Sequence, residues 1–261
     1  MEKREMIAHL AESREEEMLL AKVCDKITAA ENRNVPGATC FLTKREQMLV
    51  SQLLRGVSYR FFGGLETAER AVCCFLPDYL DEEWLTSESS PVAAVRAMYR
   101  EEDVLTHRDF LGSLMGCGIK RETVGDIYVR PGCCDFLVTR EILPYVLQNL
   151  ETAGRVKLSL SELPLSMLEA PEQKVKQIRD TVSSLRLDGV VSSGFSLSRG
   201  KAAEAVSAGK VELNYLLCQK GDKAVAEGDI ISLRGLGKIC LREVGGNTKK
   251  GRISILIERY L

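Results

Sequence analysis

Leu185-Arg186-Leu187-Asp188, Ser198-Arg199-Gly200-Lys201-Ala202, Gly209-Lys210-Val211-Glu212-Leu213-Asn214 and Glu227-Gly228-Asp229-Ile230-Ile231 follow one another between residues 185 and 238. Their periods change in a readable order. Leu187, Val190 and Val191 give one short helix an apolar face, with Gly194 past its end and Arg186 on it. Ser198 reads as the N-cap of a second helix whose Ala202, Ala205 and Val206 face a core, and Gly209 ends it. Residues 210–214 then alternate as a short strand, and the Glu227-Gly228-Asp229 turn leads into another, Ile230 to Leu233. Arg234-Gly235-Leu236-Gly237-Lys238 closes the stretch.

The cations fall where chemistry can use them. A helix start offers unpaired backbone N–H groups and a partial positive charge, so Arg199 and Lys201 beside Ser198 strengthen a site for an anion, with phosphate the natural occupant. Lys210, Arg234 and Lys238 lie where strands begin and end, and extend a basic track along one face.

The ordered set Arg186-Leu187-Asp188, Ser198-Arg199-x-Lys201-Ala202, Gly209-Lys210-Val211-x-Leu213-Asn214 and Gly228-Asp229-x-Ile231 resembles the alpha-L RNA-binding motif, or S-four domain. That resemblance implies RNA held through its backbone. It makes Arg186, Arg199, Lys201 and Lys210 the leading contacts, with Ser198, Asn214, Arg234 and Lys238 completing the candidate surface. Asn214 is followed here by Tyr215, where the family usually has Gly.

With 261 residues, 45% hydrophobic and 28% charged, the chain has the composition of ordinary globular domains, and room for two or three of them. No apolar run approaches the roughly 20 residues of a membrane span, and Met1-Glu2-Lys3-Arg4-Glu5 lacks a signal peptide's apolar core, so a cytoplasmic protein without membrane contact is expected. The nine cysteines include no C-x-x-C pair and read as reduced core residues. With only His9 and His107, there is little material for a metal site or a Cys-His nucleophile, and neither metal nor cofactor is expected. His107-Arg108-Asp109 matches a kinase catalytic loop in three letters, but no Asp-Phe-Gly or phosphate-binding glycine loop accompanies it. The net charge of −1 hides an asymmetry: from Val182 onward thirteen Lys or Arg stand against eight Asp or Glu. The basic end is thus the nucleic-acid end, and the acidic remainder argues for a specific docking site over indiscriminate coating of RNA.

An α+β fold is expected. Residues 1–56 read as an N-terminal helical region: a helix over 4–34 stopped by Pro36-Gly37, then one capped by Thr43 with Glu46 as its capping-box partner. Residues 57–168 read as an α+β block, its sheet covered by helices on one face. Its strand candidates are Val57–Phe62, Ala71–Leu76, Val92–Tyr99, Asp126–Val129, Cys134–Val138 and Arg155–Leu160, with a helix capped by Thr106 and another over Thr139–Leu150. Residues 169–181, containing Pro171, read as a linker, and 182–261 as the basic module with a C-terminal strand extension.

The middle block carries a second resemblance. Phe62-Gly63-Gly64 with Ala68-Glu69-Arg70, Thr106-His107-Arg108-Asp109-x-Leu111-Gly112, Gly118-Ile119-Lys120-Arg121-Glu122, Gly125-Asp126-Ile127, Thr181 to Asp188 and Thr248-Lys249-Lys250-Gly251-Arg252 are similar to the YlmH family of bacterial RNA-binding proteins. The match covers nearly the whole chain. It implies a helical N-terminus, a central RNA-recognition-like α/β sandwich and a C-terminal S-four domain. It further implies a non-catalytic role on the large ribosomal subunit, with ribosomal RNA and peptidyl-tRNA as partners, in ribosome-associated quality control. His107, Arg108, Lys120, Arg121, Lys249, Lys250 and Arg252 form a second tier of RNA candidates. Only Tyr59, Phe61, Phe62, Phe75 and Tyr128 are available as stacking aromatics and several must serve the core, which favours docking on folded RNA by shape and phosphate contact. A monomer is expected, with quality-control or cell-division proteins as further partners. Two alternatives remain open at this point: an RNA-modifying enzyme with an appended S-four module, and a cell-division interaction adaptor.

Overall fold

The computed structural model describes residues 3–169, 174–248 and 251–260. It divides into two compact units, the first ending at Pro171 and the second beginning at Glu172. Helix and sheet are mixed in both.

Unit 1 opens with two helices where the sequence suggests one, α1 (Lys3–Leu10) and α2 (Arg14–Arg33). The break falls at Ser13, whose hydroxyl accepts the Glu16 N–H and whose extended backbone starts α2, with Glu15, Glu16 and Glu17 in the favourable first turn. Asn34, left-handed at φ 52°, ends α2. The chain then forms a strand that the hydrophobic pattern does not announce, β1 (Gly37–Leu42). Gly37 is required there, because a Cβ would lie 2.5 Å from the Cβ of Ala30 on α2. Next comes α3 (Lys44–Leu53), started by the capping box in which the Glu46 carboxylate accepts the Thr43 N–H at 2.6 Å. β1 pairs with β3 (Ala71–Phe75), which pairs in turn with β2 (Arg60–Phe62). This sheet therefore takes strands from both sides of residue 56, and its Cys73 and Phe75 share one core with Leu20, Val23, Ile27 and Val50 of the helices.

The remainder of unit 1 runs β4 (Val92–Met98), α4 (His107–Gly116), β5 (Val124–Arg130), β6 (Cys133–Thr139), α5 (Leu143–Asn149), a small hairpin β7 (Thr152–Ala153) and β8 (Val156–Lys157), then β9 (Ser159–Leu163). The sheet order is β5-β6-β4-β9, all antiparallel, which with the two helices makes the split βαββαβ topology. Alternation assigns the faces. Ala93, Val95, Ala97, Phe136 and Val138 pack with Phe110 and Leu114 of α4 and Val146 of α5. Helices on one face are the expected arrangement, but the other face is covered too. Val92, Ala94 and Leu137 are fully buried in a cluster with Phe41 of β1 and Val72 and Cys74 of β3. The two larger sheets of unit 1 thus form a sandwich.

Unit 2 begins with β10 (Val175–Val182), where the sequence reads as a linker. Residues 170–173, including Pro171, lie outside the described residues. β10 is mostly exposed and inwardly apolar only at Ile178 and Val182, so its own pattern is weak; it is held by pairing along its whole length with β15 (Ile253–Tyr260). Between them come α6 (Leu187–Gly194), α7 (Arg199–Ser207), β11 (Val211–Leu213), β12 (Leu216–Leu217), β13 (Ile230–Leu233) and β14 (Gly237–Asn247). The sheet order is β10-β15-β14-β13-β11-β12. α6 and α7 roof one face, burying Leu187, Val190, Val191, Ala202 and Val206 against Val211, Ile231, Ile239, Leu241, Ile255 and Ile257. At about 2 kcal/mol for each fully buried aliphatic side chain, this core is the main force holding the helix starts in place.

Candidate nucleic-acid interface

Ser198 is the N-cap of α7: its hydroxyl accepts the Lys201 N–H at 3.4 Å, and Arg199 and Lys201 on the first turn are exposed. Arg186 is the N-cap residue of α6, in extended conformation, and does not lie within the helix. Its guanidinium grips Asp188 through two hydrogen bonds, Nε to Oδ1 at 3.2 Å and Nη2 to Oδ2 at 2.9 Å. The Asp188 carboxyl, nine-tenths buried, is held below the usual carboxylate range by Arg186 first, with Arg199 adding to the field. One buried carboxylate therefore anchors Arg186, within the electrostatic reach of Arg199.

The structure adds two cations that the sequence pattern passes over. The Leu187 N–H donates to the Lys223 carbonyl at 2.9 Å and the Asp188 N–H to the Gly221 carbonyl at 3.0 Å, so the loop carrying exposed Lys220 and Lys223 lies against the start of α6. A Lys-Gly-Asp-Lys loop is a weak signal by itself, and only this backbone pairing places it.

Lys210 and Arg234 meet at the other end of α7, where the Arg234 N–H donates to the Lys210 carbonyl at 3.0 Å. Both are exposed. A nine-residue helix separates this pair from Arg199, a length of roughly 13 Å. Ile239 faces the helix-covered core, so alternation turns Lys238 to the opposite face, where its ammonium sits 5.7 Å from the ring centres of both Tyr215 and Tyr260.

Asn214 is a turn residue. It and Tyr215 form the two-residue link between β11 and β12 with φ of 50° and 66°, the left-handed pair of a type I′ hairpin, so Tyr215 adopts the conformation for which Gly is usual. The Asn214 amide is committed internally, donating to Asp229 Oδ1 at 2.8 Å and accepting the Ile230 N–H at 2.9 Å.

The second tier separates similarly. Arg108 and Lys120 are exposed, and His107 opens α4 behind a Thr106 whose N–H and hydroxyl both donate to Asp109. The His107 imidazole is held below its ordinary pKa by burial, with Arg121 adding repulsion. Arg121 itself is turned inward, donating to the Val124 carbonyl at 2.6 Å. Arg252 ties β15 to β10 by donating to the Thr181 hydroxyl at 2.9 Å and to the Thr181 carbonyl. Lys249 and Lys250 lie outside the described residues.

The central sheet of unit 1 has no stacking platform. Where the middle strands of an RNA-recognition sheet present aromatics, β4 and β6 here present a buried ionic cluster: Arg96 makes two 2.7 Å hydrogen bonds to fully buried Asp135, which Arg130 also contacts. The five available aromatics lie off these two strands, with Tyr59 and Phe61 packed on the helical core and Phe62 and Tyr128 on the inter-sheet core. Among the described residues no group of three or more His, Cys, Asp or Glu is arranged to hold a metal ion. Nor is any helix long and apolar enough to cross a membrane.

These features define a class: a two-unit α+β protein pairing a βαββαβ domain with a six-stranded sheet roofed by two short, cation-bearing helices. Residues 92–167, the βαββαβ block, match the family profile described as "Putative RNA-binding domain in YlmH". Ribosome-associated protein quality control protein P2 of Bacillus subtilis (strain 168) is 36% identical over 224 residues, which span 85% of this chain and 86% of that one. The chain belongs to the YlmH family. A solved structure, Cell division protein ylmH from Streptococcus pneumoniae, is similar in fold with a TM-score of 0.51 and 21% identity, covering 60% of this chain and 95% of that one.

Proposed function

We propose that this protein is a non-catalytic RNA-binding factor that docks on the large ribosomal subunit, contacting ribosomal RNA and peptidyl-tRNA, in the quality control of stalled translation. Unit 2 acts as an S-four module in this reading. The observation that carries it is the start of α7, where exposed Arg199 and Lys201 flank backbone N–H groups while Asp188 holds Arg186 alongside. Such a constellation fits phosphates of a folded RNA, whose positions are fixed by shape. Lys220 and Lys223 widen it, and Lys210 and Arg234 supply a second contact at the far end of the helix. Arg108 and Lys120 of unit 1 are the cations available for a further RNA contact, on its helical side. The buried opposite sheet face supports phosphate docking over base stacking. The relative's name supports the ribosomal setting, and that setting is cytoplasmic.

The test is co-sedimentation with purified large subunits carrying or lacking peptidyl-tRNA, at fixed salt. Wild type is expected to pellet with the tRNA-bearing particle, and the Arg199→Ala/Lys201→Ala variant to remain in the supernatant. Equal pelleting of both proteins would remove the helix start from the contact.

A further inference from the structure

The cations gathered at the two ends of α7 all come from residues 186–234. β10 and β15 lie outside that stretch, one before it and one after, and their antiparallel pairing sets Lys176 directly opposite Arg259. Both side chains stand on the face that carries the helices. Alternation from Ile257, a core residue, puts Arg259 there, and alternation from Ile178, packed on the same core, puts Lys176 there. Asp180, on the same face of β10, reaches α6 and accepts the Ser193 hydroxyl at 2.5 Å. Partners directly opposite on one face have Cβ atoms about 5 Å apart, and like charges so placed destabilise a sheet. Neither cation has a carboxylate within 4.0 Å among the described residues. Glu258, next to Arg259 in the chain, turns to the other face and pairs with Arg242 at 2.9 Å.

Arg259 is held in place without being used up. Its guanidinium carbon lies 5.3 Å from the ring centre of Phe195, and its Nη2 donates to the Leu236 carbonyl at 3.2 Å. A ring and one carbonyl orient the planar group, and Nε and Nη1 have no partner among the described residues. The same two contacts locate it. Phe195 stands three residues before Ser198, a span of at most about 11 Å, and Leu236 stands two residues after Arg234, at most about 7 Å. Arg259 therefore touches the segment leading into α7 on one side and the turn carrying Arg234 on the other. It bridges the two groups of cations that the length of α7 separates, and exposed Lys176 stands beside it.

We propose that Lys176 and Arg259 form a further site for the RNA backbone, sharing a phosphate between ammonium and guanidinium and joining the start of α7 to the Arg234 turn. The phosphate supplies the negative charge that the sheet itself withholds from this pair, and an oriented guanidinium suits two of its oxygens. Continuity with the cations at both ends of α7 favours a chain of phosphates over an acidic protein segment. The site rests on reading unit 2 as an RNA-binding module, and adds to that module a contact from the strands that flank its helices.

The test is fluorescence anisotropy of the full chain with labelled large-subunit ribosomal RNA, titrated over salt, beside urea unfolding. Lys176→Glu sets opposite charges across the β10–β15 pair, so the urea midpoint should hold or rise. Affinity should fall by about eightfold or more at 0.1 M salt, and the salt slope should lose about 0.9, the share of one contact. Arg179→Glu makes the same change of charge on the other face of the same strand and should bind nearly as wild type does. Equal losses in the two variants would overturn the proposal, as would a Lys176→Glu protein with wild-type affinity and slope, or one whose weaker binding comes with a lower urea midpoint. Arg199→Ala/Lys201→Ala is measured alongside. An unchanged slope in that variant would sink the helix-start reading, whereas a reduced slope there and none at Lys176 would sink the flanking site alone.

Discussion

Removal of the two cations at the start of α7 gives a prediction that can be worked numerically. Six exposed cations, Arg199, Lys201, Lys210, Lys220, Lys223 and Arg234, lie on unit 2 at the two ends of α7 and the adjoining loop. If each neutralises one phosphate, the logarithm of affinity falls with the logarithm of salt with a slope of about −5.4, at roughly 0.9 per contact. Between 50 and 200 mM salt, wild-type affinity for large-subunit RNA then drops by about two thousandfold. Arg199→Ala/Lys201→Ala removes two contacts, so the slope becomes about −3.6 and the same salt change costs about 150-fold. Fluorescence anisotropy with the full chain, titrated at four or more salt concentrations, measures both slopes. A double variant that binds more weakly but keeps the wild-type slope would show that these residues act on the fold and not on phosphates, and the argument from the helix start would fail.

Three further perturbations separate structural from contacting roles. Asn214→Ala removes the amide that ties the β11–β12 turn to Asp229 and Ile230 and should lower stability by about 2 kcal/mol in urea unfolding; its salt slope should equal the wild type's, and a reduced slope would return Asn214 to the contact set. Asp135→Asn weakens the acceptor shared by Arg96 and Arg130 in a fully buried position, so a loss of about 3 kcal/mol is expected, and a loss below 1 kcal/mol would show the cluster to be solvated. The Asp188 carboxyl has its folded pKa depressed, so its contribution is fully present above the unfolded value near 3.9 and disappears as pH falls through the lower folded value. Unit 2 should therefore lose stability below about pH 4, and Asp188→Asn should flatten that part of the profile; an unchanged profile would exclude the Arg186 pair as its source.

The parts of this fold that were legible in sequence are those whose signal is local. Ser198 with Ala202 and Val206, and Thr43 with Glu46, mark helix starts by chemistry contained within a few residues. β1 and β10 were not legible, because their stability comes from partners far along the chain: Ala71–Phe75 for one and Ile253–Tyr260 for the other. The candidate site divides for the same reason. Arg199, Lys201 and Lys210 follow from element boundaries, whereas Lys220 and Lys223 are placed by backbone bonds to Leu187 and Asp188 that no periodicity predicts. Lys238 lies one residue from a core isoleucine, so its face depends on strand register. Arg121 and Arg252 look like free cations in a sequence, but their guanidiniums are occupied by carbonyls of Val124 and Thr181.

The position of β15 bears on when unit 2 can form during synthesis. It lies between β10 and β14, so the strand that joins the start of the unit to the rest of its sheet is the last described one to be translated. Val182 waits for Ile253 and Val175 for Tyr260, a long loop whose closure nothing local assists. A nascent chain halted before Ile253 would expose the β14 edge and leave β10 without a partner, while all the strands of unit 1 would already have been made. Newly made copies should thus acquire a folded unit 1 first, and the completed sheet on which α6 and α7 rest last.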